Sequence, residues 1–346
     1  MKRLASVFLA AALCIGFFMQ AYSDAKEKTR IVFVKDDDGD FFKAVADLMG
    51  NLLKAKGWKN GEYEYITLSM EGKEEKGDAV VAELKKIRPA VVMMNTTLIQ
   101  KIAVRLKDTD IPCVAGGGLE LEDGNGRMVF VDRNGFPTTN LTGTYTMPRE
   151  QLKYSFAFLD RVAPLGRSKV VFATYPTAAF TRTKVEKALK ALNMPLKDYK
   201  EFTYVDDYQE FVKKYNDDPE VGWIISGEMI SRRKDGSAYS FEQFFKWERE
   251  NNRKPNLGFW ENSVQCGKLC ALAIDSMTTV NQMVTMADRI ARGEKVSRVK
   301  PEDPGKTLII LNQKRARDLK IEFPMPVLQG AWRIYSDYDG NYIDRK

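Results

Sequence analysis

The sequence predicts an α/β protein built as two doubly wound parallel-sheet lobes. Short β-rich runs alternate with amphipathic helical stretches over residues 30–115, and the same alternation restarts near residue 168. Runs such as Ala90-Val91-Val92-Met93-Met94 and Val221-Gly222-Trp223-Ile224-Ile225 are apolar without interruption. Strands buried on both faces read this way, and helices on each side of a parallel sheet bury them so. A chain of 346 residues has room for about two such domains at roughly 150 residues each.

In the first half, residues 30–34 predict a strand, followed by a helix in which Phe41, Phe42, Val45, Leu48, Met49, Leu52 and Leu53 recur at helical spacing up to Gly57. Residues 64–68 predict the second strand, 76–87 a helix stopped by Pro89, and 90–94 the third strand. A helix over 98–106 and a strand over 111–115 complete the set. In the second half the strands are expected at 168–173, 201–205, 221–225 and 255–260. The helices between them are expected at 181–192, 208–215 and 241–251. Ile31 to Tyr65 spans 34 positions and Val170 to Phe202 spans 32, so the two halves follow one script with a period too long for a solenoid repeat.

Lys2 and Arg3 precede an apolar run from Leu4 to Met19, followed by Gln20-Ala21-Tyr22-Ser23. A basic start, a short apolar stretch and small residues at −3 and −1 predict a secretory signal peptide over residues 1–23, cut after Ser23. The run is shorter than the roughly 20 residues that span a bilayer, and Leu13 is too bulky for a lipidation signal at Cys14. Without Lys2 and Arg3 the 54 basic residues fall to 52 against 47 acidic. This mild excess is interspersed along the chain, which predicts a solvated surface and no nucleic-acid partner. The chain has no His. That excludes Ser–His–Asp and Cys–His catalysis and zinc sites that need imidazole. Cys113, Cys266 and Cys270 remain; buried thiols and a Cys266–Cys270 bridge are both open in an oxidising compartment.

Ligands of open α/β sheets bind outside the carboxyl ends of the strands. With two facing lobes this marks the loops 35–40, 95–98 and 116–119 in the first half, and 174–180, 226–230 and 261–264 in the second.

At this point the chain resembles a known family, the periplasmic substrate-binding proteins of ABC transporters with a type I fold. The resemblance is to the branch that includes binders of tryptophan and other aromatic amino acids. Thr139-Asn140-Leu141-Thr142-Gly143, Glu150-Gln151-Leu152 and Ala163-Pro164-Leu165 follow the family's order at the passage between lobes. Gly267 to Asp275, the helix ending Ile290-Ala291-Arg292-Gly293-Glu294-Lys295, and Thr307-Leu308-Ile309-Ile310-Leu311-Asn312 with Leu319-Lys320-Ile321-Glu322-Phe323-Pro324 resemble its return crossing and terminal module. The resemblance implies discontinuous lobes, 24–142 plus 276–296 and 143–275 plus 297–346, and a hinge that closes on a ligand in the cleft.

It also implies site residues. Thr96 and Thr97 match a hydroxyl pair after the third strand, although one could merely cap the next helix. Gly117 and Gly118 stand where the family has Asp-Pro, and let a ligand approach the backbone. Tyr175, Thr177 and Phe180 replace the family's Glu, Asn and Ser; the rings could stack on a flat ligand, or Phe180 could belong to the core. Glu228 stands where the family has Asp and would pair with a ligand cation or accept hydrogen bonds from a neutral donor, with an exposed loop carboxylate as its rival. Trp260, Glu261 and Asn262 form an aromatic platform beside polar groups. Asp275 matches a recurrent family Asp, with a hinge hydrogen bond as its rival; the acidic run 36–40 reads as a cap of the following helix, from which Asp40 could reach the cleft. That run lacks the sixth-position Gly and closing Glu of a calcium loop, so no metal and no cofactor is expected.

The function implied is an extracytoplasmic, monomeric solute-binding protein, not an enzyme. It would deliver a ring-containing small molecule to an ABC permease or, alternatively, present it to a membrane sensor.

Overall fold

A computed structural model of the protein describes residues 28–95, 102–107, 109–117, 119, 130–148, 150–176, 180–227, 230 and 232–343; at 40, 41, 74 and 95 the backbone alone is described. The expected signal segment lies outside the described residues. The chain divides into two compact units, 1–144 with 280–301 and 145–279 with 302–346.

The first unit is built on a five-stranded sheet: β1 (Thr29–Lys35), β2 (Tyr63–Ser69), β3 (Val91–Asn95), β4 (Cys113–Gly116) and β5 (Leu141–Thr144), in the order β2-β1-β3-β4-β5. Every pairing is parallel, with Ile31 opposite both Tyr65 and Val91. Ile31 to Val34 have no exposed surface, as a strand covered on both faces requires. One cover is α1 (Asp40–Ala55), whose Met49 and Leu53 pack on Ile31 and Phe33. The C-terminal part of a later helix supplies Met283, Val284, Met286 and Ala287 to the same cluster. There Asp288 accepts from the Trp58 indole at 2.7 Å. Between β2 and β3 runs α2 (Gly77–Ile87). Gly143 in β5 has φ +146°, and a Cβ there would lie 2.0 Å from the Ala115 carbonyl oxygen. Only glycine lets β5 approach β4 this closely.

The second unit begins with α3 (Gln151–Val162) and a three-stranded parallel sheet, β7-β6-β8, from β6 (Lys169–Thr174), β7 (Leu196–Glu201) and β8 (Val221–Ser226). Helices α4 (Arg182–Lys190), α5 (Val205–Asn216) and α6 (Phe241–Asn251) lie between and after its strands. A second sheet, β12-β11-β10-β9, takes in β9 (Leu257–Gly258), β10 (Cys270–Ile274), β11 (Thr307–Asn312) and β12 (Arg333–Tyr335). The Ile224 N–H donates to the Pro255 carbonyl at 3.3 Å, bringing β8 to the start of β9. Helix α7 (Glu261–Gln265) precedes β10 and α8 (Ser276–Ala291) follows it.

Two features depart from the sequence reading. The strand expected at 201–205 is β7 at Leu196–Glu201, and Val205 already starts α5. β7 reads LKDYKE with only Tyr199 buried, so this edge strand carries no apolar run to betray it. β10 and β11 pair antiparallel, which breaks an otherwise parallel pattern. The expected helix over 241–251 is matched at both ends by α6. Ser240 accepts from the Gln243 N–H at 3.2 Å while the Gln243 side chain accepts from the Ser240 N–H at 2.9 Å, a closed capping box. Phe156, Phe172, Phe180, Trp223 and Phe259 centre the core of this unit, and the Trp223 indole is satisfied by the Ala163 carbonyl at 2.9 Å.

Candidate functional site

The second unit carries a pocket of about 180 Å³ at the carboxyl ends of β8 and β9. Ser226 and Gly227 close β8 onto it, and Gly258, Phe259 and Trp260 carry β9 past it. Phe241 and Phe245 come from the first two turns of α6, Asn262 and Ser263 from α7, and Lys268 from the turn before β10. Two glycines make the geometry possible. A Cβ at Gly258 would sit 2.3 Å from the Ser263 hydroxyl, and one at Gly227 would sit 2.8 Å from the Phe180 ring. The Ser263 hydroxyl donates to the Trp260 carbonyl at 2.7 Å, fixing the turn from β9 into α7.

Beneath the aromatic walls lies a buried polar cluster. Lys268 and Glu248 are 2% and 1% exposed, so both charges have left water and each depends on the other. The Lys268 ammonium donates to Glu248 Oε1 at 2.6 Å and to the Ser226 hydroxyl. Ser226 donates onward to the same Oε1 at 3.2 Å, and Tyr208 donates to it at 2.9 Å. Three donors thus converge on one carboxylate oxygen, while Glu248 Oε2 has no hydrogen-bond partner among the described residues. Burial pushes the Lys268 ammonium below its usual range, against the pull of Glu248. Burial also holds the Tyr208 phenol far above its ordinary value, and the adjacent Glu248 charge adds to the effect.

The sequence-predicted residues fall into three groups. Trp260 and Asn262 line the pocket, with Glu261 between them. The Glu261 carboxylate is engaged by the Arg333 guanidinium and accepts from the Tyr335 hydroxyl at 2.8 Å. Tyr175 is half-buried against the cluster of Val171, Ala173 and Tyr208. Phe180 is 1% exposed, its ring 4.3 Å from that of Phe259. Asp275 caps α8: its Oδ1 accepts from the Met277 N–H at 3.1 Å and its Oδ2 from the Thr278 hydroxyl at 2.9 Å. Gly117 follows β4 with φ +108°, a conformation that favours glycine. Thr96, Thr97, Gly118, Thr177 and Glu228 lie outside the described residues, as does the Asp40 side chain.

Sequence reasoning missed Phe241, Phe245, Glu248 and Lys268, whereas Ser226 opens the loop 226–230 marked as a ligand edge. A signal for Glu248 was present. Phe241, Phe244, Phe245 and Glu248 stand at i, i+3, i+4 and i+7, so the carboxylate occupies a position on the apolar stripe. Lys268 stands directly before the apolar run Leu269 to Ala273, where a buried strand begins.

Among the described residues no group of acidic, Cys or His side chains is placed to hold a metal ion. No described helix is long and apolar enough to cross a membrane.

No protein-family model matches the chain, and no curated protein matches it in sequence. Solved structures do match it. An ABC domain from Streptococcus pneumonia in complex with L-Trp superposes with a TM-score of 0.67 at 17% identity, over 89% of this chain and 100% of that one. A substrate-binding protein with adhesive properties from Clostridium difficile gives 0.64 at 18% identity over 86% and 96%. An arabinose-binding protein from Geobacillus stearothermophilus gives 0.55 at 13% over 85% and 99%. The fold is therefore the type I periplasmic-binding fold of ABC-transporter solute-binding proteins.

Proposed function

We propose that this chain is an extracytoplasmic solute-binding protein that captures a small ring-containing molecule and hands it, unchanged, to the permease of an ABC importer. The observation that carries the reading is the pocket at the carboxyl ends of β8 and β9, where open α/β sheets bind their ligands. Its volume of about 180 Å³ exceeds the roughly 150 Å³ of a cavity known to hold benzene. Four aromatic residues, Phe241, Phe245, Phe259 and Trp260, line it, and such walls favour a ring by offset or edge-on packing. Solved structures with this fold include the L-Trp complex and a solute-binding protein with bound myo-inositol from Bacillus halodurans, which supports capture of a small molecule.

Trp260 and Asn262 are the proposed platform and rim contact in this unit. Thr96, Thr97, Gly117, Gly118, Thr177 and Glu228 are further proposed contacts, with Asp40 and Asp275 at the periphery. Binding without chemistry is supported by the lack of His and by the tying of Lys268 and Glu248 to one another. Export is supported by the N-terminal pattern, and the protein works as a monomer with no cofactor.

Native mass spectrometry of protein purified from its own host, followed by thermal-shift titration with amino acids, sugars and purines, tests the reading. A bound ring compound is expected; added at about 100 times its Kd, it stabilises the fold by about 2.7 kcal/mol. If no small molecule travels with the protein and no compound raises its melting temperature, the reading is wrong.

A further inference from the structure

The buried charge cluster beneath the pocket specifies more than a ring. We propose that Lys268 is a specificity-determining residue: it donates a hydrogen bond to an uncharged acceptor on the ligand ring, a carbonyl or ring nitrogen, and the pocket rejects ring carboxylates and ring ammonium ions. This deepens the solute-binding reading and rests on it.

An ammonium has three N–H donors. Among the described residues two of those of Lys268 have acceptors, Glu248 and Ser226, and Lys268 lines the pocket. The third N–H of this lysine, 2% exposed, has no acceptor among the described residues; the Phe245 ring, which also lines the pocket, lies 5.8 Å from Nζ, and a buried donor left unmade is costly. The charge balance decides the kind of acceptor. Glu248 already neutralises Lys268, so a carboxylate entering the pocket would be a second buried anion with no cation of its own. The next cation, Arg315, donates to the Arg249 carbonyl at 2.9 Å and to the Asn252 carbonyl. Those two bonds answer the negative C-terminal end of α6, while Arg315 Nε has no hydrogen-bond partner among the described residues. A ligand ammonium would meet the Lys268 ammonium directly and the positive N-terminal end of α6 at Phe241. An uncharged acceptor satisfies the donor and leaves the pair neutral.

Four probes of one ring size separate the alternatives: benzamide, benzoate, benzylammonium and toluene. They are titrated into the full exported protein by calorimetry at pH 7. Benzamide is expected to bind at least about tenfold more tightly than the other three, the range set by one hydrogen bond to a charged donor. The paired variant Lys268→Met/Glu248→Gln, which removes both charges of the pair, is expected to bind benzamide and toluene equally. NMR of the Lys268 side-chain ammonium in the wild type gives a second readout that needs no variant: benzamide shifts it and toluene does not. The proposal is overturned if benzoate or benzylammonium binds best, if the paired variant keeps the benzamide preference, or if no probe binds. A protein that binds none of the four yet carries a co-purified solute would still be a solute-binding protein, so the two readings fail separately.

Discussion

Phe180 gives the sharpest test of how the second unit is held together. Its ring is 1% exposed, 4.3 Å from Phe259 and 6.1 Å from Phe172, and the Tyr199 hydroxyl donates to its carbonyl at 2.8 Å. Gly227, at the mouth of the pocket, has no room for a side chain because this ring occupies the space. Phe180→Ala removes a whole aromatic ring from a site flanked by two sheets that cannot collapse onto it. Ring burial and residual cavity together put the loss at about 3–5 kcal/mol. In a unit of this size each kcal/mol lowers the melting temperature by about 2–4 °C, so a drop of roughly 6–20 °C is expected. Urea unfolding followed by circular dichroism measures it, with an unchanged m-value if compactness is kept. A loss under about 1 kcal/mol together with abolished ligand binding would show that Phe180 faces the ligand, and the core assignment would be refuted.

Other expectations follow from particular contacts. Glu248→Leu alone strands the Lys268 charge and should cost about 3–5 kcal/mol, while adding Lys268→Met should restore much of it in a double-mutant cycle read by urea unfolding. Gly143→Ala would drive a Cβ into the Ala115 backbone at 2.0 Å, so a loss of roughly 3 kcal/mol or more, or no folded protein in a circular dichroism scan, is expected. Cys113, Cys266 and Cys270 are free thiols. Burial pushes Cys113 up to about 12 and raises the other two, so at pH 8 a thiol reagent should label the half-buried Cys266 slowly and the other two only after unfolding. Burial also pushes the Tyr335 phenol up to about 12. Between pH 10 and 12 the native phenol keeps a proton that the unfolded chain releases, so stability must fall as pH rises through that window; if Tyr335 were in water, absorbance would show its phenolate forming near pH 10 in the folded protein, and its share of that fall would vanish.

What the sequence reveals is governed by how many residues share the burden of a signal. β3 and β8 were legible because most of their residues are buried, and a fully covered parallel strand shows as a solid apolar run. α6 was legible to the residue because Ser240 and Gln243 close its start and its phenylalanines keep helical spacing. β7 was not, since it sits at a sheet edge and buries only Tyr199. Nor was the antiparallel turn of β11 against β10, because a two-residue period reads the same in either direction. The pocket divides along the same line. Trp260 and Asn262 stand at a strand end, a place that topology alone marks as a ligand edge. Lys268 and Glu248 are 20 residues apart on different elements, and although Glu248 falls on the apolar stripe of α6 and Lys268 heads an apolar run, nothing in the sequence pairs them. Their pairing costs free energy that two apolar residues would not. A cluster of that kind holds its place in a core for what it does to a neighbour, and here the neighbour is an aromatic-walled pocket with an ammonium at its base.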